Sequence, residues 1–256
     1  RGLLTQATES STGVRQDVRG MAAAAHAAPG DPVVVVDAIT GLGTSHLDVD
    51  GWGLDIVIGG SQKALMIPPG LAFASVSARA WGRMEAARLP HYYFDFRRER
   101  KAAQNGEAAF TPATSLVLGL AEALRYLRQV GRERLIANAR LLAEATRAGV
   151  AALGLKLFAA DSPCDALTAV CAPEGMDSGA IIREVRSRFG ASLANGQGSM
   201  KGRIFRVAHL GYFDFAETLG LLASLELALD ALKVPVPLGA GVRAAQQVYL
   251  RSAPQE

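Results

Sequence analysis

Lys63 and Asp37 are the two residues of this chain whose setting invites chemistry. Lys63 stands in GGSQKALMIPPG, residues 59–70, directly after the apolar run LDIVIGG. Lysine is seldom fully buried unless it is paired or chemically used. Asp37 lies in PVVVVDAI, residues 32–39, where four consecutive valines predict a strand buried on both faces, as in a parallel sheet. A charge at the end of such a strand is costly without a partner. In open α/β sheets, ligands bind beyond the carboxyl ends of the strands. Each residue also has a plainer reading: Asp37 as a cap for the loop AITGLGTS, and Lys63 as a surface lysine with its stem on apolar surface. Together they fit one recurring arrangement. An amine forms a Schiff base with pyridoxal phosphate, and a carboxylate pairs with the protonated pyridine nitrogen. Protonated pyridine is the electron sink, and the acid beside it keeps the proton in place. The turn Gly59-Gly60-Ser61 lets a cofactor approach the backbone closely.

Other motifs carry less. GLGTSH, residues 41–46, begins like a dinucleotide fingerprint but has His46 where the last glycine belongs, and GGSQKAL lacks the Gly-Lys-Ser/Thr of a phosphate loop. Cys164 and Cys171 match neither a disulfide framework nor a zinc spacing, which fits a reduced, cytoplasmic interior. His26, His46, His91 and His209 form no metal spacing, so no metal is expected. With 27 Lys+Arg against 24 Asp+Glu, the net charge of +3 is too small to argue for nucleic acid. The basic run RRERK, residues 97–101, contains a glutamate and no interleaved aromatics, and reads as a solvated loop near a dimer interface. No apolar run is long enough to span a membrane, and the last residues, Ala253 to Glu256, form no targeting signal.

The elements that must position Lys63 and Asp37 follow from periodicity. Helices are predicted over 14–27, 78–88, 113–129, 131–153, 178–190 and 215–232. Strands are predicted over 32–39, 54–60, 71–77, 155–159, 165–172, 191–195 and 204–210, and a long loop runs from 90 to 112. The class is α/β, with a larger unit over 1–128 and a smaller α/β unit over 129–256.

The stretch VVVVDAITGLGTSHLDVDGWGLDIVIGGSQKALMIPPGLAF closely resembles the class V aminotransferases of fold type I, in particular the alanine/serine–glyoxylate group. The likeness runs from ATESSTGV to GRIFRVAHLG and covers most of the chain. It implies a mostly parallel sheet in a large pyridoxal-phosphate domain, a smaller C-terminal domain, and a homodimer with active sites at the subunit interface. Carried over by position, Lys63 is similar to the Schiff-base lysine and Asp37 to the pyridinium partner. Ile39 matches the apolar residue under the ring, Gln62 a phosphate ligand and Ser10 a polar contact to the ring substituents. Thr111 matches a threonine reaching the neighbouring subunit's phosphate, and Arg206 the arginine that holds the substrate carboxylate. That last role suits the planar fork of arginine, which binds a carboxylate by two parallel hydrogen bonds. Arg203 competes for it within GRIFRV.

The resemblance also has gaps. The turn that cradles the phosphate and the aromatic residue that stacks on the ring normally precede ESSTG by about a hundred residues, and neither is in this chain. Ala108 and Ala109 stand where some relatives carry a tyrosine. The chain begins at Arg1 without a methionine, and a portion of a longer enzyme is expected. The expected reaction moves an amino group from alanine, serine or aspartate to a 2-oxo acid such as glyoxylate or pyruvate. Two alternatives stand beside it: a lyase or desulfurase of the same fold, and a catalytically incomplete chain acting as a binding or structural subunit. Cys164, in DSPCDAL, and Gln62 before the lysine both argue against the desulfurase.

Overall fold

The computed structural model describes residues 1–252; residues 253–256, where the sequence shows no targeting signal, lie outside the described residues. The first sheet has the order β1-β4-β5-β6, formed by β1 (Gly2–Gln6), β4 (Val33–Asp37), β5 (Ile56–Gly60) and β6 (Ala72–Val76). β1, β4 and β5 run parallel, and β6 closes the edge antiparallel to β5. Between β1 and β4 lie the hairpin of β2 (Thr8–Glu9) and β3 (Val14–Arg15) and the helix α1 (Val18–Ala27). α1 starts later than its alanine-rich sequence predicts, because Asp17 caps it by accepting the Gly20 N–H, while Val14 and Arg15 pair with β2.

α1 packs against β1 and β4, and its Val18, Ala22 and Ala25 meet Val34 and Val36 in a buried cluster. Val33 and Val35 point to the other face and are only half-buried, so the expected burial on both faces is not met. The four-valine run reports burial on one face and β-propensity on the other.

After β6 come α2 (Ala78–Ala86), α3 (Phe96–Gln104), α4 (Thr114–Val130) and α5 (Arg132–Ala152). α3 falls inside the stretch expected to be loop and contains the whole RRERK run. Its charged sequence gave no apolar stripe to read. Asp95 caps its start, Arg98 lies 4.6 Å over the Phe110 ring, and no residue of the helix is buried. α4 also has no buried residue, although it is rich in leucine.

The second sheet, of order β7-β9-β8, is antiparallel and consists of β7 (Leu167–Cys171), β8 (Ala194–Asn195) and β9 (Ile204–Ala208). α6 (Ser178–Phe189) and α7 (Phe215–Ala231) cover it, with Ile181, Phe205, Leu225 and Leu229 at the centre of the core. The run predicted as a strand over 155–159 contributes one bridge, Leu157 to Val170. A last helix, α8 (Ala240–Ser252), was not expected from the sequence and packs on α5. The buried Glu226 of α7 anchors it by accepting the N–H groups of Gly239, Gly241 and Val242. The two sheets are stitched at the β3 hairpin. Arg15 N–H donates to Ser162 O, Ser162 Oγ donates to Arg15 O, and Cys164 N–H donates to Gly13 O.

Asp55 fixes the register of the first sheet. It is 2% exposed, accepts the Val34 N–H and the Ser77 hydroxyl, and pairs with Arg79 of α2. Burial opposes its ionisation, but the bonds from Arg79, Val34 and Ser77 together outweigh that and hold its carboxyl below the ordinary value. A depressed carboxylate stabilises the fold above its unfolded pKa, and that contribution is lost as the pH falls through the folded value. Asp55→Ala is expected to cost about 2 kcal/mol in urea unfolding, because the buried Val34 N–H loses its acceptor and Arg79 keeps only Asp31 and the Pro32 carbonyl. Asp55→Asn is expected to flatten the fall in wild-type stability between about pH 5 and about pH 3.

Candidate functional site

Parallel pairing puts the carboxyl ends of three strands at one edge. In register, Gln6 faces Asp37, and Asp37 faces Ile58. The three chains then turn outward together. Ala7 N–H donates to Asp37 O and leads into the hairpin that carries Ser10, while Asp37 Oδ1 accepts the Ile39 N–H at 2.9 Å. That bond fixes one oxygen of the carboxylate, and the exposed side chain leaves the other free for a donor.

β5 ends at Gly60 and passes through the buried Ser61 to Gln62 and Lys63. Ser61 holds this turn: its hydroxyl donates to Pro68 O at 2.8 Å and accepts the Leu71 N–H at 3.2 Å. Lys63 O accepts the Met66 N–H, and Met66 adopts a φ of 61°, a left-handed conformation that costs a non-glycine residue on the order of 1 kcal/mol. Lys63 is half-buried and its amine has no ion-pair partner among the described residues. A methyl group on Gly60 would sit 3.0 Å from Gln62 Oε1 and 3.4 Å from Ile39 Cγ2. Gln62 and Ile39 therefore both approach the Cα of Gly60 closely, one next to Lys63 in the chain and the other two residues past Asp37.

A further contribution comes from β9, whose Arg206 reaches Ser10 across 196 positions of sequence. Arg206 projects from it, with Nε and Nη2 donating to Asn195 O at 3.0 and 2.8 Å and Nη1 donating to Ser10 O at 2.6 Å. A guanidinium has five N–H groups, so two are left over. Burial pushes its pKa down, and the charge of Glu9 opposes that shift. A half-buried cation with unused donors and no carboxylate in contact is ready to take an anion. Its rival Arg203 is exposed. Asn195 is itself held, its side-chain oxygen accepting from Ser178 Oγ and the Gly202 N–H. Beyond β9, the chain returns to the Lys63 turn, and a methyl on Gly211 would lie 3.7 Å from Lys63 O.

Of the seven residues singled out from the sequence, Ser10, Ile39, Gln62 and Lys63 lie on the turns after β1, β4 and β5, Asp37 ends β4, and Arg206 reaches Ser10 from β9. Thr111 does not join them. It lies exposed between α3 and α4, with no side-chain hydrogen bond among the described residues. His209, on the turn after β9, is buried and neutral: burial, with the Arg147 charge, pushes its pKa down to about 3. Its Nε2 meets Thr168 Oγ1 at 3.1 Å. Cys164 is buried and its thiol is pushed up by burial, the opposite of an activated cysteine. Among the described residues no cluster of three or more His, Cys, Asp or Glu forms a metal site, and no helix is long and apolar enough to cross a membrane. Sequence reasoning missed Glu9 and Asn195, which act on Arg206 from the two sides. The signal for Glu9 was its place in ESSTG.

The family model described as aminotransferase class-V matches residues 3–208. Among curated relatives, the soluble hydrogenase small subunit of Synechococcus sp. (strain PCC 6716) is 39% identical, over 97% of this chain and 65% of that protein. The L-aspartate–glyoxylate aminotransferase of Paracoccus denitrificans is 34% identical, over 97% of this chain and 63% of its own. The crystal structure of the ureidoglycine–glyoxylate aminotransferase of Bacillus subtilis superimposes with a TM-score of 0.90 at 28% identity, covering 96% of this chain and 65% of that one. The chain thus spans somewhat less than two thirds of the length of these relatives.

The space beside Gly60 can be probed directly. Gly60→Ala is expected to leave the thermal midpoint nearly unchanged, since the end of Gln62 can move aside. It should weaken pyridoxal phosphate binding about tenfold in a spectroscopic titration, by displacing the Gln62 amide and thickening the backbone that the cofactor approaches.

Proposed function

The chain belongs to the class V aminotransferase family, and from that premise we propose that its protein is a pyridoxal-phosphate-dependent aminotransferase of fold type I. The amino group moves from a small amino acid, alanine, serine or aspartate, to a 2-oxo acid such as glyoxylate or pyruvate. The observation that carries this reading is the pairing of β4 with β5, with Asp37 and its free carboxylate oxygen at the end of β4 and the unpartnered amine of Lys63 on the turn just beyond the end of β5. Glyoxylate as acceptor is supported by the Paracoccus and Bacillus relatives, both of them glyoxylate aminotransferases by name.

Pyridoxal phosphate, when bound, supplies an electron sink for the charge left at the substrate Cα. The residues do the rest. Lys63 would anchor the cofactor, and its Nζ, once displaced by the incoming substrate amine, would take the proton from the substrate Cα and hold it for return. Asp37 keeps a proton on the ring nitrogen by presenting its charge there. Ile39 would support the cofactor ring, Ser10 would meet its substituents, and Gln62 would take a phosphate oxygen. Arg206 receives the substrate carboxylate on its two spare N–H groups, which orients the Cα–H bond. Thr111 serves the phosphate of a partner subunit, which its exposed place between α3 and α4 favours. A homodimer is further supported by the apolar surface next to it: Tyr92 is 87% and Phe94 90% exposed, and α4 buries nothing.

A borohydride trap tests the reading. The full-length natural protein is incubated with pyridoxal phosphate, reduced, digested and mapped by mass spectrometry. A visible absorption band and a label on Lys63, both lost in Lys63→Ala, are the expected result. No band, or a label elsewhere, overturns it. In steady state, Arg206→Gln is expected to raise KM for the amino donor on the order of a hundredfold, because a charge-assisted two-bond contact is lost. Product analysis separates the lyase alternative, which releases ammonia or sulfide without a 2-oxo acid acceptor.

A further inference from the structure

Arg206 is gripped from two sides, and the grips differ. On one side stands the backbone carbonyl of Asn195, a residue whose side-chain oxygen is itself held by uncharged bonds from Ser178 Oγ and the Gly202 N–H. On the other stands the Ser10 carbonyl, at 2.6 Å from Nη1. Ser10 C=O and Ser11 N–H belong to one peptide unit, which is planar and rotates as a whole. The Ser11 N–H donates to Glu9 Oε1 at 2.8 Å, and the Ser11 hydroxyl donates to the same oxygen at 2.7 Å. The second oxygen, Oε2, accepts from Gln6 Nε2 at 3.1 Å.

Glu9 is thus folded over its own turn, which is closed by Thr12 and Gly13 N–H bonds to Glu9 O. The result is a continuous line: Glu9 carboxylate, Ser11 N–H, Ser10 carbonyl, Arg206 guanidinium. A negative charge at the N–H end of a peptide fixes its plane and polarises its carbonyl, making that carbonyl a stronger acceptor.

We propose that Glu9 is a positioning residue for the substrate carboxylate, acting on Arg206 through the Ser10–Ser11 peptide without touching the substrate. The inference rests on Arg206 as the carboxylate site and deepens that part of the proposed function. Glu9 makes no ion-pair contact with Arg206, yet each feels the other's charge. Its carboxyl is held below the ordinary value, first by the two bonds from Ser11. It therefore stays ionised at neutral pH and keeps the relay charged. With Glu9 neutral, Nη1 faces a weaker and freer acceptor, and the two spare N–H groups lose their fixed direction.

The test uses the full-length protein loaded with pyridoxal phosphate, with Glu9→Gln and Ser11→Ala as variants. Glu9→Gln keeps the size and an acceptor but removes the charge. The half-saturating concentration of L-alanine is expected to rise about tenfold in the single-turnover reaction, with the rate at saturation within about twofold. The half-saturating concentration of ethylamine, which has no carboxylate, is expected to stay within about twofold. Propionate, a carboxylate with no amine, should bind about tenfold more weakly by calorimetry. Ser11→Ala should shift alanine and propionate in the same direction by a smaller factor.

Unchanged alanine and propionate constants in folded Glu9→Gln overturn the proposal. So does an equal rise for alanine and ethylamine, which marks a general loss of site structure. If Glu9→Gln fails to fold, Ser11→Ala decides by the same readings. Propionate binding does not depend on the transfer reaction. If propionate binding is lost in Arg206→Gln but insensitive to Glu9→Gln, the positioning role falls by itself. If wild-type Lys63 takes no label, the transfer reading falls by itself.

Discussion

Everything at the candidate site depends on the parallel hydrogen-bond register of β1, β4 and β5. Parallel strands begin at one edge and end at the other, so the residues that follow them emerge side by side. Gln6, Asp37 and Ile58 stand in one row, and the turns beyond them carry Ser10, Ile39 and Lys63. A one-residue slip between β4 and β5 would turn every side chain to the opposite face. The packing of α1 on Val34 and Val36, and the bonds Asp55 makes to β4 and α2, guard against that slip.

The second constraint is a bridge across the molecule. The hairpin of β2 and β3 is fastened to residues 162–164 by three backbone and side-chain bonds, and Arg206 of β9 reaches into its turn. A guanidinium that donates to two backbone carbonyls has its orientation set by the backbone and no acid in contact to satisfy it. The same contacts that join the two sheets leave it short of an anion. The side chain proposed to bind the substrate carboxylate is thus also one that joins the two sheets.

How much was legible in the sequence varied with the kind of signal. Lys63 and Asp37 were readable because each is a charge at the end of an apolar run, where charge is costly. The strands 54–60 and 71–77 were found within two residues, since strong apolar runs bounded by glycine and proline leave little choice. α3 and α8 were not found. α3 buries nothing and so shows no apolar stripe, and α8 is held by Glu226, a partner in another helix that no local pattern announces. The start of α1 was misplaced because Val14 and Arg15 join a two-residue ladder with β2, which outweighs helix propensity.

By itself the sequence determined the α/β class, the membership in a family whose motifs it carries, and the residue types able to do the chemistry. These are properties of local pattern and of side-chain identity, and they survive without coordinates. Only the tertiary structure decided which of those residues stand together. It brought Arg206 to Ser10 across 196 positions, left Thr111 out on the surface and put Glu9 in line with the guanidinium. Such contacts come from sheet register and from a single peptide plane shared by two hydrogen bonds. Neither leaves a periodicity in the sequence, because the partners are chosen by where the chain returns and not by their neighbours along it.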